Sequence, residues 1–181
     1  HTGPWQMENA GLAVAALRAS GLSVPESGWQ GVGKVSWPAR MQRLHGALAQ
    51  SLPAGWELWL DGGHNPGAGH ALAQELQTWG DEPLHLLVGM KQTKDASGFL
   101  NPVLPYATTL WAISEPTQHL ALPVEAIVEA SAGKAQVGPT LVRALDAPKA
   151  RSDGQPARVV VWRRRDPARA GPAPGCRVPA R

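Results

Sequence analysis

The sequence predicts an α/β fold: a mostly parallel sheet with helices on both faces. Three observations carry this. Short apolar runs bounded by Gly, Pro and Asn alternate with longer Ala- and Leu-rich segments of helical period. The runs LHLLVGM (84–90) and RVVVW (158–162) are apolar but for His85 and Arg158, as strands buried on both faces are. At 181 residues and 43% hydrophobic, the chain can build one substantial core.

In chain order, residues 7–20 place Leu12, Ala16 and Leu17 on one recurring face, with Gly21 as a stop signal, and predict a helix of about three turns. Residues 21–45, punctuated by Gly, Ser and Pro and carrying Trp29 and Trp37, read as a loop or short helical pieces. Residues 41–51 fit either a strand or a linker. Then come a strand at 56–60 (WELWL), a helix at 67–79 with Ala68, Leu72, Leu76 and Trp79 near one face, and the buried strand at 84–90. A Lys-rich loop leads to FLNPVL, a short helix interrupted by Pro102. A strand at 108–114, helices at 124–132 and 140–147, and a strand at 158–162 complete the body.

Charge divides the chain. Residues 1–150 hold nine Lys and Arg against twelve Asp and Glu, net −3, while 151–181 hold eight Arg against two Asp, net +6. The folded body is therefore mildly acidic, which speaks against a nucleic-acid partner. The stretch RRRDPARAGPAPGCRVPAR has no periodicity and reads as disordered. No apolar run approaches the roughly 18 residues of a membrane span. The single Cys176 fits a reducing compartment, so we expect a cytoplasmic chain without a membrane partner. The first residues show no signal-peptide pattern, and the lack of an initial Met suggests a start inside a longer protein.

The stretch LWLDGGHNPGAGHAL (58–72) concentrates chemistry where a strand gives way to a helix. In parallel sheets ligands bind outside the carboxyl ends of the strands. Asp61 at such an end can accept hydrogen bonds from vicinal hydroxyls, or merely cap the turn. His64 can serve as a base, a phosphate donor or a ligand, but His64 and His70 make a poor metal pair, so no metal site is assigned. Gly62, Gly63 and Gly67 permit close backbone approach to a ligand and equally suit a tight connection. Lys91 and Lys94 follow the next strand and can face phosphate or solvent. Arg40 lies between aromatic and apolar neighbours that can hold a guanidinium for phosphate. Asn9 can cap a helix or offer an amide to a base. No phosphate-cradling P-loop occurs in the chain.

Four of these pieces, in this order, resemble the C-terminal part of folylpolyglutamate synthase/dihydrofolate synthase in the Mur ligase superfamily. They are Trp5-Gln6-Met7-Glu8-Asn9-Ala10, Trp37-Pro38-Ala39-Arg40, Asp61-Gly62-Gly63-His64-Asn65-Pro66, and Gly89-Met90 with Lys94-Asp95. Trp5 and Ala39 stand where the family usually has His and Gly, and Ser114-Glu115-Pro116 follows the strand at 108–114. The resemblance covers roughly residues 3–161 and implies an ATP-dependent amide ligation. In it a folate or dihydropteroate carboxylate becomes an acyl phosphate that L-glutamate attacks.

Carried over, Asn9 would contact adenine, Arg40 the phosphates and Asp61 the ribose, with His64 at the reacting end. The resemblance further implies residues 1–45 as the end of a central ATPase domain and 46–162 as a Rossmann-like C-terminal domain. The P-loop and most Mg2+ ligands would then belong to an N-terminal part not in this chain, and the fragment alone would be an inactive monomer. The family pattern stops at Trp162, and the abrupt change to Arg, Pro and Ala at 163–181 is what a shifted reading frame in a GC-rich gene would produce. Two other readings stay open: another Mur-type ligase with a non-folate acid, and a non-catalytic module that binds a nucleotide or a partner.

Overall fold

The computed structural model describes residues 4–35, 38–92, 95–114, 120–138, 140–150 and 153–163, with backbone alone for 4, 5 and 163. Trp37, Lys94, Glu115, Pro116 and the 163–181 tail beyond its first residue, with Cys176, lie outside that description, as does the side chain of Trp5.

Among the described residues the elements run α1 (Pro4–Ala19), α2 (Glu26–Val32), β1 (Gln42–Leu44), α3 (Ala47–Gln50), β2 (Glu57–Asp61), α4 (Pro66–Gln77), β3 (Leu84–Gly89) and α5 (Ala96–Leu100). A 3-10 turn at Leu104–Tyr106 leads to β4 (Thr109–Ile113), α6 (Val124–Ala130), β5 (Ala135–Gly138), α7 (Leu141–Ala150) and β6 (Arg158–Arg163). The six strands form one sheet in the order β1-β2-β6-β3-β4-β5. All neighbours are parallel except β1 and β2, which are antiparallel. This is the expected mostly parallel sheet.

Helices cover both faces. On one, Leu72 and Leu76 of α4, Phe99 and Leu100 of α5 and Ile127 of α6 pack on Leu86, Val88, Leu110, Val160 and Trp162. On the other, Leu145 of α7 packs with Leu58, Leu87, Ile113, Val159 and Val161, and Leu48 of α3 joins them. The odd and even residues of β3 and β6 thus feed different cores, which is why these strands read as continuous apolar runs. At the opposite end of the sheet from the strand carboxyl ends, Arg158 donates to Trp79 O at 2.6 Å and pairs with Glu57 at 3.3 Å and Glu82 at 3.2 Å. Its guanidinium also lies 4.9 Å from the Trp79 ring centre, tying β6 to both its neighbours.

The expected short helical pieces of 21–45 include α2. The 41–51 segment, left between strand and linker, holds both a short edge strand and a helical turn. One boundary needs correction. Residues 99–104 do not form a helix of their own: α5 lies earlier, capped by Asp95, whose side chain accepts from the Gly98 amide at 2.8 Å. The edge strand β5 has no counterpart in the sequence reading, because AQVG alternates too little to show a face.

The N-terminal segment is built differently. Residues Pro4–Val35 reach the rest mainly along one cleft, and Met7, Leu12, Leu22 and Val35 stay exposed at 66%, 70%, 66% and 56%. Arg18 lies 5.7 Å from the Trp29 ring centre and links α1 to α2.

Candidate functional site

The site grows from the carboxyl end of β2. Asp61 ends that strand, 7% exposed, with its partner in register, Trp162, one residue before the end of β6. Both Asp61 oxygens are engaged by backbone amides: Oδ1 accepts from Gly63 at 2.6 Å and Oδ2 from Met41 at 2.7 Å. Burial raises the Asp61 carboxyl above the ordinary carboxylate value, while the Gly63 and Met41 amides, the Arg40 guanidinium and the Gly62 amide pull it down. Each oxygen carries two lone pairs, so the group can accept further hydrogen bonds from a ligand.

Gly63 follows in a crowded place. A Cβ there would sit 2.7 Å from both Ala68 Cβ and Trp162 Cζ2, so only glycine lets the loop lie against β6. Trp162 Nε1 donates to Gly63 O and its ring packs on Phe99, with centroids 4.1 Å apart. His64 is oriented through Nδ1, 3.1 Å from Gly62 O. A carbonyl only accepts, so Nδ1 carries the hydrogen of that bond, and Nε2 is the nitrogen left outside it. Asn65 and Pro66 start α4: Asn65 Oδ1 accepts from the Ala68 amide at 2.8 Å, and proline occupies the first turn where its missing N–H costs nothing. These two residues thus serve the turn and the helix start. Gly67 meets only Asn65 Oδ1, at an ordinary 3.5 Å, and is not required by crowding.

Opposite this loop stand α1 and the turn at 38–41. Together they enclose a cleft of about 910 Å³ whose lining includes Asn9, Arg40, Asp61 and His64, with Glu75, Val35 and Trp162 among the rest. The four residues to which the resemblance assigns roles thus line one cleft. Asn9 is not a cap, because α1 begins at Pro4 and carries Asn9 in its second turn. Lys91 is not in the lining; its backbone bridges to Ala121 instead. Among the described residues no group of three or more His, Cys, Asp or Glu can hold a metal ion.

Trp162, Met41 and Glu75 were not singled out in the sequence. Trp162 had a usable signal, since it ends an apolar strand just as Asp61 does. Met41 contributes through its amide and Glu75 through the turn of α4 it occupies, and neither leaves a mark in composition.

Chemically the cleft offers mixed apolar walls, an amide, a guanidinium, an imidazole and a buried carboxylate, at the strand ends and the N-terminus of α4. A helix start of this kind favours anions.

No family model matches the sequence, and no curated protein does. Solved structures do. Mycobacterium tuberculosis folylpolyglutamate synthase complexed with ADP matches with a TM-score of 0.70 at 24% identity, over 89% of this chain and 38% of that one. E. coli FolC in complex with ADP matches with a TM-score of 0.64 at 25% identity, over 85% of this chain and 35% of that one. A bifunctional folylpolyglutamate synthase/dihydrofolate synthase with Mn, AMPPNP and L-glutamate bound matches with a TM-score of 0.65 at 24% identity, over 88% and 36%. The fold is that of the α/β domain which ends Mur-type ligases. More particularly, the chain is similar in structure to folylpolyglutamate synthase/dihydrofolate synthase enzymes, and it spans little more than a third of the length of the enzymes it matches.

Proposed function

We propose that the chain forms one wall of the nucleotide site of an ATP-dependent amide ligase of the folate type, which joins L-glutamate to folate or dihydropteroate. The observation that carries the reading is the convergence of Asn9, Arg40, Asp61 and His64 on a single cleft at the strand carboxyl ends. The ADP, AMPPNP and L-glutamate named for the similar enzymes support it.

In this reading Asn9 offers its amide to the adenine edge, Asp61 accepts from the ribose hydroxyls, and Arg40 faces the phosphates. The cleft's size, its apolar walls and its single guanidinium suit a nucleoside di- or triphosphate. Bound ATP supplies the phosphoryl group that activates the acid. His64 stands at the reacting end, with Nε2 available to hold or take a proton. In this reading most of the Mg2+ ligands belong to a preceding part of the protein. Residues 1–45 then correspond to the end of a central ATPase domain and 46–162 to the Rossmann-like domain. The exposed Met7, Leu12 and Leu22 favour this division, since they offer apolar surface for that domain to cover.

The test is titration of the isolated chain with ADP, followed by amide and side-chain NMR. Resonances of Asn9, Arg40 and His64 are expected to shift together, with weak affinity and no ATP turnover. Shifts confined to other regions, or glutamate ligation by this chain alone, would overturn the reading.

A further inference from the structure

We propose that Asp61 is a positioning residue for Arg40, its carboxylate latching the turn that presents the guanidinium to the phosphate end of the cleft. The inference rests on the nucleotide reading and adds a route by which Asp61 acts through another side chain.

The turn needs a latch. Ala39 and Met41, which flank Arg40, have φ values of 57° and 41°, the left-handed region that L-residues with side chains resist. Such a conformation persists only where the surroundings hold it. Three hydrogen bonds do so here. The Ala39 amide donates to Gln42 Oε1 at 3.0 Å, Ala39 O accepts from the Gly62 amide at 2.8 Å, and the Met41 amide donates to Asp61 Oδ2 at 2.7 Å. The last is the only one of the three with a carboxylate acceptor, and bonds to ionised groups are the stronger kind.

The anchor itself is rigid. Asp61 is buried, and the strand it ends is paired on one side with β1 through Gln42 and Leu60 and on the other with β6 through Trp162. Its second oxygen takes the Gly63 amide and so holds the loop bearing His64. One carboxylate therefore sets the spacing between Arg40 and His64. A ribose hydroxyl can share the same group, because neither oxygen is saturated.

The substitution Asp61→Ala removes both acceptor oxygens, so the Met41 and Gly63 amides each lose their partner. By hydrogen exchange of the 181-residue chain, we expect the Met41 amide of this variant to exchange about tenfold faster while β3 keeps its protection. By calorimetry, its affinity should fall roughly tenfold more for ADP than for adenosine, since only ADP reaches Arg40. Adding Arg40→Gln should abolish that difference, which a merely structural loss would not do. Gln42→Ala loosens the same turn with Asp61 intact and should reproduce a smaller ADP-selective loss.

Unchanged Met41 exchange, or equal losses for ADP and adenosine, would overturn the latch. If Asp61→Ala loosens β3 as well, Gln42→Ala decides, and the absence of an ADP-selective loss there overturns the proposal. A wild-type chain that binds neither ligand instead overturns the nucleotide reading and with it Arg40's phosphate role. Its Met41 exchange still reports separately on the bond.

Discussion

The sheet body and the N-terminal segment are stabilised in different ways. In the body, β3 and β6 place Leu87, Val159 and Val160 at 0% exposure between two helical layers. The α1–α2 segment turns Met7, Leu12 and Leu22 to solvent, each at least 66% exposed, and α2 has no buried residue. The body buries a core on each face of its sheet, whereas no described side chain of residues 6–35 is buried. A functional site shared between a self-sufficient sheet and a loosely held helix can lose ligand affinity through the helix without losing the fold.

The sharpest way to break this comparison is a charge in each region. Val160→Asp puts a carboxylate at the centre of the sheet and should cost about 3–5 kcal/mol, abolishing the cooperative urea transition. Leu12→Asp should change stability by less than about 0.5 kcal/mol by the same measurement. Comparable losses for the two would mean that α1 is part of the cooperative unit. Next in size is Gly63→Ala, whose methyl group has no room beside Ala68 and Trp162. Overpacking of this kind costs about 1–3 kcal/mol in denaturant titrations, and should also displace the loop carrying His64.

Trp162→Phe retains the ring against Phe99 but removes the donor to Gly63 O, and should lower stability by about 1 kcal/mol. The smallest effect concerns His85, which stacks on Trp56 with centroids 5.1 Å apart. Burial holds its imidazole below the ordinary 6.5. As pH falls through 6.5 the unfolded chain takes up the proton first, so stability declines until the lower folded-state value is passed. In melting curves taken across that range, His85→Gln should flatten the decline; an unaltered slope would assign it to other groups.

The strands most legible in the sequence were those the fold buries most. LHLLVG and RVVVW are apolar without alternation because neither face sees water. The edges were illegible for the converse reason: β1 has three residues and β5 four, too few to establish a period. Strand order was beyond sequence pattern altogether, since periodicity says which face is buried and not which neighbour lies alongside. Within the site, Asp61 and His64 stood out because charged and titratable groups at a strand's end exceed what a turn requires. Arg40 and Asn9 were ambiguous until distant segments met across the cleft. Lys91 was left between phosphate and solvent because a cation after a strand has many places to point; its backbone pairs with Ala121 and it lies outside the cleft lining.

The place of β6 has a consequence for biosynthesis. It is the latest described strand, yet it lies between β2 and β3, which do not bond to each other. As the chain leaves the ribosome, β1–β2 and β3–β4–β5 can form as two separate ribbons, each with one open edge awaiting residues 158–163. Open edges of this kind recruit other strands, including those of neighbouring nascent chains. Assembly of the sheet, and with it the closing of Trp162 over Gly63, must wait for that last insertion, so the cleft is among the final features of the molecule to acquire its shape.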